Sequence, residues 1–252
     1  MRNQPSSESA ERHDQPTQGR LPTNKMSGTI NESAANMQDA QKLVKRAFDL
    51  VFTMCASIVL LPAAFGAALL VRLSSPGPIL YTSDRIGRGG IRFTLYKFRT
   101  MAVDADRKGP AITHRNDARV TRFGRLLRKT KFDEFPQVVN VLRGEMSIIG
   151  PRPESPQYVA LYTEEQRQVL EARPGLTSLA QVLYRDEENL LPETGTELHY
   201  TREILPRKLA LDLYYVRRWS LWLDVKVFLL GVLGLLSVRP PAFLWPIKPT
   251  DA

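Results

Sequence analysis

From Leu50 to Val71 the chain carries no charged residue, and an apolar run of that length has few places to go. As a straight helix rising ~1.5 Å per residue it could cross the ~30 Å hydrocarbon core of a bilayer. It lacks the amphipathic rhythm of a helix lying on a soluble core, which favours a membrane segment over a buried core helix. Pro62 falls in its middle. Proline removes one ladder hydrogen bond and crowds the preceding turn, so a break is expected there. Both flanks are basic, Lys42, Lys45 and Arg46 before and Arg72, Arg85, Arg88 and Arg92 after. The positive-inside rule then chooses no orientation, as expected if both ends stay on the cytoplasmic side of a re-entrant helix.

The remainder reads as an α+β fold, a small, mostly helical domain with a short sheet. Ser75-Pro76-Gly77-Pro78 is a turn, Ile79 to Thr82 a strand and Gly87 to Gly90 a second turn, and Ile91 to Leu95 alternates as a half-exposed strand should. Thr130 is read as a helix N-cap with Asp133 as its capping-box partner. Pro136 lies near that helix start, Val138, Val139, Val141 and Leu142 form its apolar face, and Gly144 ends it. Further helices are expected over Glu164 to Ala172 and Leu205 to Val216. Trp219, Trp222 and the apolar run from Val225 to Val238 suit an amphipathic helix in the membrane interface. Residues 1–40 are polar, have little to bury and are expected to be disordered. No apolar core near the start marks a cleavable signal peptide.

A formal net charge of +9 calls for an anionic partner. No helix-turn-helix, zinc-finger or aromatic RNA-binding signature accompanies it, so nucleic acid is not the expected partner. The single cysteine, Cys55, lies inside the apolar run and precludes an intramolecular disulfide. His13, His114 and His199 have no metal-ligand spacing.

Chemistry points to Asp133-Glu134, an acidic pair among Arg128, Lys129, Lys131 and Arg143. First-turn acids that merely complement a helix dipole are common, but this is more cation than one helix needs. Such cations bind phosphate and hold a carboxylate ionised beside it, and an ionised aspartate at phosphate is a candidate nucleophile. Arg152 stands between Pro151 and Pro153, which stiffen the backbone and reduce the entropy lost when its guanidinium grips phosphate. Lys97 and Arg99 either point to that phosphate or solvate a strand end. Lys45, Arg46 and Asp49 sit at helical spacing where the apolar run begins, and read as a lipid head-group anchor in which Asp49 holds the cations. Asp104-Ala105-Asp106 is the alternative metal site.

Many of these pieces recur, in order, in one family. Lys45-Arg46-x-x-Asp49, Ser75-Pro76-Gly77-Pro78-Ile79 and Tyr96-Lys97-Phe98-Arg99-Thr100-Met101 come first. Asp133-Glu134-x-Pro136-Gln137-x-x-Asn140-Val141-Leu142-x-Gly144, Gly150-Pro151-Arg152-Pro153 and Arg173-Pro174-Gly175-Leu176-Thr177 follow. From Lys45 to roughly Leu236 the chain resembles the bacterial sugar transferases, the monotopic polyprenyl-phosphate phosphoglycosyl transferases. One departure is Ser178-Leu179, where Gly-Trp usually precedes Ala-Gln-Val.

The resemblance implies transfer of a phosphosugar from a UDP-sugar to undecaprenyl phosphate, with Mg²⁺ and release of UMP. That would be the first membrane step in building an exopolysaccharide, capsule, O-antigen or protein-linked glycan. It implies Asp133 as nucleophile and metal ligand, Glu134 for metal or proton management, and Arg128 and Arg152 against the donor phosphate. It also implies a domain facing the cytoplasm from the inner membrane, in contact with its lipid and with downstream glycosyltransferases. The division expected is a polar tail (1–40), a membrane-inserted helix broken at Pro62 (41–73), the sugar transferase catalytic domain (74–238) and a loose tail (239–252). A glycosidase is disfavoured, since adjacent carboxylates on one helix diverge and cannot flank a glycosidic bond. A membrane scaffold for glycan assembly, without transferase activity, is the alternative.

Overall fold

The computed structural model describes residues 25–105, 109, 112–113, 117–192 and 194–247. Residues 1–40 and 41–252 form separate units. Helix α1 runs Lys25–Ser74. Residues 25–40 are thus helical rather than disordered, while 1–24 lie outside the described residues. Once a helix is nucleated each further residue adds a hydrogen bond cheaply, and Ala34, Ala35, Met37 and Ala40 propagate well. For the same reason the helix continues through Pro62, where interruption was expected. One lost bond is offset by strong helix formers on either side, Leu60, Leu61, Ala63 and Ala64.

Between Asp39 and Ser74, α1 is long and apolar enough to cross a membrane. Its two faces differ in size rather than polarity. Ala64, Ala67 and Val71, spaced three and four apart, pack on Phe98 and Leu127, whereas Ile58, Val59, Phe65 and Leu73 are exposed. Both faces being apolar, hydropathy alone conceals this stripe.

Strands β1 (Leu80–Ile86) and β2 (Arg92–Phe98) form an antiparallel hairpin in which Leu80 faces Phe98 and Ile86 faces Arg92. The reversal uses Gly89 and Gly90 at positive φ, where a side chain would be strained. Phe93 and Leu95 point inward, as the alternation predicts. After the hairpin come α2 (Arg122–Thr130) and α3 (Val138–Arg143), the latter ending at Gly144 in the left-handed conformation as expected. Strand β3 (Ser147–Ile149) pairs in parallel with β4 (Gly175–Thr177). At their ends a Cβ on Gly150 would strike the Arg173 carbonyl, so only glycine permits this approach.

Short helices α4 (Pro156–Val159), α5 (Glu164–Arg167), α6 (Leu179–Leu183) and α7 (Thr196–His199) fill the return path to α8 (Leu205–Arg217) and α9 (Leu221–Leu235). Helix α8 carries the larger core, in which Tyr158, Tyr162, Val169, Tyr200, Ile204 and Leu209 meet. A second core joins Ile148, Ile149, Leu179, Tyr215, Leu223 and Val227. Ser178 caps α6 in a reciprocal pair with Gln181, and Leu179 is buried. Helix α9 turns Leu223, Val227 and Leu230 inward and leaves Trp222, Val225 and Leu229 exposed. The C-terminal segment is not loose up to residue 247. Leu244 is buried, Ile247 joins the second core, and Tyr214 Oη donates to the Pro246 carbonyl at 3.1 Å.

Lys45, Arg46 and Asp49 all make contacts within the domain, and Asp49 pairs with β3 rather than with the two cations. Lys45 Nζ bonds the Ile149 carbonyl at 2.9 Å and Asp224 Oδ2 at 2.7 Å, linking α1 to β3 and α9. Arg46 Nη1 donates to the Val141 carbonyl at 2.9 Å, satisfying the open end of α3. Asp49, 1% exposed, accepts from Ser147 Oγ at 2.8 Å and from the Ile148 N–H at 3.1 Å. A buried donor left unpaired costs about 1–3 kcal/mol, and Asp49→Ala strands two of them. The expected result is a clear fall in melting temperature in detergent; an unchanged melting temperature with weakened vesicle binding would show a head-group role instead.

Candidate active site

The acidic pair lies in a 3₁₀ turn, Phe132–Gln137, between α2 and α3. Thr130 does not cap a new helix. Its Oγ1 bonds back to the Leu126 and Leu127 carbonyls, and Lys131 reverses the chain with φ of +56°. Phe132 and Phe135 stack at 5.5 Å and pack toward Phe98, Leu127 and the small-residue face of α1, anchoring the turn. Asn140 braces it from behind, donating to the Thr94 carbonyl and Glu145 Oε2, both at 2.7 Å.

Lys97 continues the row of Phe93 and Leu95 along β2, so it is directed inward. Its Nζ lies 2.7 Å from Glu134 Oε1. Arg152 Nη2 stands 3.8 Å from the same oxygen. Burial by itself would raise the Glu134 carboxyl, but Lys97 and Arg152 overcome it and hold the group down at about 2. Asp133 goes the other way. Burial raises it, reinforced by the Glu134 charge and only partly opposed by Lys97, Arg128 and Lys131. Its side chain is 7% exposed and Oδ1 has no hydrogen-bond partner. Two neighbouring carboxylates with environments that pull them apart are suited to different tasks. One is committed to cations; the other has an oxygen to spare.

Arg128 reaches the site from the end of α2, its Nε on Thr100 Oγ1 at 3.0 Å and its Nη1 on Glu188 Oε1 at 3.0 Å. The Pro151-Arg152-Pro153 loop leaves β3 opposite the pair. Arg99, two residues beyond Lys97, is not brought in. Strand β2 ends at Phe98, and the Arg99 guanidinium turns to the Ser75 carbonyl at 2.8 Å and the Pro76 carbonyl at 2.9 Å, holding that turn. Asp104 is exposed and Asp106 lies outside the described residues; among the described residues no His, Cys, Asp and Glu cluster of three or more is poised for a metal. Sequence reasoning missed Thr100, Glu188 and Asp212, whose contacts join segments far apart in the chain.

Lys97, Arg128 and Arg152 therefore surround one buried and one half-buried carboxylate, Asp133 and Glu134, the first of which has an unused oxygen. Cations of this kind neutralise phosphate, which otherwise repels an anionic nucleophile. A family model described as bacterial sugar transferase matches residues 40–237. The chain belongs to the bacterial sugar transferase family. A relative from Caulobacter vibrioides, named UDP-glucose:undecaprenyl-phosphate glucose-1-phosphate transferase, is 41% identical over 209 residues, covering 79% of this chain and 72% of its own. One from Komagataeibacter xylinus, named undecaprenyl-phosphate glucose phosphotransferase, is 40% identical over 75% of this chain. An Escherichia coli relative with the Caulobacter protein's name is 36% identical over 78% of this chain. The chain spans only 35% and 41% of the lengths of the last two. For this sugar transferase the matched region begins within α1 and ends just after α9, so it takes in every residue of the site described above.

Proposed function

We propose that this protein transfers a phosphosugar from a UDP-sugar to undecaprenyl phosphate, releasing UMP and leaving undecaprenyl-diphosphosugar. The observation that carries the reading is the unpartnered Asp133 Oδ1, buried within the field of Lys97 and Arg128. In the first step this oxygen attacks the sugar-bearing phosphorus. The bond to the UMP oxygen breaks, UMP leaves with the electron pair, and an aspartyl-phosphosugar remains. An oxygen of the lipid phosphate then attacks the same phosphorus and expels the Asp133 carboxylate. Lys97 and Glu134 hold one another, and Arg152 and Arg128 face the donor's negative charge. The names of the relatives support the donor and acceptor classes.

Mg²⁺ fits this donor set. It favours one or two carboxylates plus substrate phosphates, and with Oδ1 assigned to attack, the other carboxylate oxygen of Asp133 is the one left for the metal. Asp133 and the donor phosphates would hold it, and it would supply further charge neutralisation. The experiment is UMP release from a panel of UDP-sugars, with and without undecaprenyl phosphate. A scaffold would release none.

Arg128→Ala and Arg152→Ala are each expected to lower kcat/KM for the donor about 10- to 150-fold, the loss of a charged hydrogen bond of ~1.5–3 kcal/mol. Wild-type donor kinetics in both would move the phosphate site elsewhere.

We also infer that α1 is re-entrant, its continuous helix bending at Pro62 so that both ends stay at the cytoplasmic face of the inner membrane. Supporting this, residues near both ends of its apolar run pack on the one domain, Lys45 and Asp49 at the start and Ala64, Ala67 and Val71 toward the end. A helix crossing the bilayer would carry one of those ends away. In a Cys55→Ser background, a cysteine at Ser27 is expected to resist an impermeant thiol reagent in intact spheroplasts and to react after permeabilisation. Labelling in intact spheroplasts would show a true span.

A further inference from the structure

Proline has no backbone N–H, so Pro151-Arg152-Pro153 possesses a single backbone donor, that of Arg152. This N–H lies 3.2 Å from Asp212 Oδ2 on α8. Around it the backbone is fixed by two acceptors: the Pro151 carbonyl receives the Gly175 N–H at 2.9 Å, and the Glu154 carbonyl receives the Ile86 N–H at 3.0 Å. The Arg152 guanidinium meanwhile reaches the acidic pair.

Asp212 is an unusual way to satisfy one N–H. It is 4% exposed, and its Oδ1 is buried without a partner. An uncharged acceptor such as asparagine would satisfy the same N–H without burying a carboxyl group. Burial pushes its carboxyl up to about 7; the Arg152 N–H and Lys208 oppose the rise and Glu154 adds to it.

We infer that Asp212 is a positioning residue for phosphosugar transfer: by holding the loop's only backbone N–H, it fixes where the Arg152 guanidinium stands against the donor's diphosphate. This rests on the reading of Arg152 as a donor-phosphate ligand.

The test measures donor KM and kcat for full-length protein in detergent, with Asp212→Leu, Asp212→Ala and Asp212→Asn made in wild-type and Arg152→Ala backgrounds. Leucine removes the acceptor while keeping the branched shape at a larger volume, alanine removes it without added bulk, and asparagine keeps the acceptor without charge. The leucine and alanine variants are expected to raise donor KM about 5- to 30-fold, the loss of one hydrogen bond, with the lipid-acceptor KM unchanged. Asparagine should restore donor KM to within about twofold of wild type, since it still accepts the Arg152 N–H. In the Arg152→Ala background, Asp212→Leu should cause no further loss. Wild-type kinetics for the leucine variant, losses that multiply with Arg152→Ala, or an asparagine variant as damaged as leucine would each overturn the inference. Failure of both apolar variants to fold, with asparagine normal, would make Asp212 a core residue and overturn it too. Should Arg152→Ala itself leave donor use unchanged, the underlying reading of Arg152 falls, which is a separate result.

Discussion

Asp133→Asn is expected to lower turnover by at least roughly 10³-fold, because it removes the atom proposed to carry the phosphosugar. The substitution is isosteric, and it neutralises a carboxyl whose ionisation is opposed by burial. The variant should therefore melt at or above the wild-type temperature. A dead enzyme that is no less stable is the signature of a group placed for chemistry at some expense to the fold. Equal turnover in the asparagine variant would remove Asp133 from the mechanism. Parallel loss of activity and stability would instead assign it to the core.

The largest stability effect is expected at Lys208, which is 4% exposed and joins three groups behind the Pro151-Arg152-Pro153 loop. Its Nζ lies 2.8 Å from Glu187 Oε2, 3.2 Å from Tyr200 Oη and 3.7 Å from Glu154 Oε1. Burial would raise the Glu154 carboxyl, yet Lys208 and Arg85 hold it below its ordinary value of 4.5. Lys208→Met leaves that charge buried without its nearest cation, a loss of about 3–5 kcal/mol. A carboxyl with a depressed folded pKa gives stability that is present above its unfolded value and is lost as the pH falls through the folded one. The penalty of Lys208→Met should thus be full at pH 7 and shrink as the pH drops below 4.5. Adding Glu154→Gln should recover part of it at pH 7. Denaturant unfolding at both pH values measures this, and a cost below about 1 kcal/mol at neutral pH would show the network to be a weak surface-like pair.

What was legible in the sequence was what short segments dictate by themselves. The glycine-linked hairpin, the stop at Gly144, the α8 boundaries and the crowding of cations around Asp133-Glu134 all follow from local chemistry. So does the stiffness of Pro151-Arg152-Pro153. What was not legible shares a physical cause. Lys45, Arg46 and Asp49 read as a membrane anchor because an apolar run follows, and their partners within the domain are at Ile149, Asp224, Val141 and Ser147, about a hundred or more residues away. Lys97 and Arg99 are near neighbours with equal charge, and only the end of β2 at Phe98 separates the one that enters the site from the one that holds a turn. Thr130 satisfies the cap preference yet closes the preceding helix, because the left-handed Lys131 reverses the chain immediately after it. Asp212 and Lys208 sit in an ordinary helical pattern, where nothing local shows that they face the loop.

The most direct measurement is the intact mass of the protein after incubation with a UDP-sugar in the absence of undecaprenyl phosphate. The account predicts a mass gain of one phosphosugar on the peptide containing Asp133, with one equivalent of UMP released, and loss of the adduct once the lipid phosphate is added. Unmodified protein that releases UMP only when the lipid is present would contradict it, showing direct transfer without a covalent intermediate on Asp133.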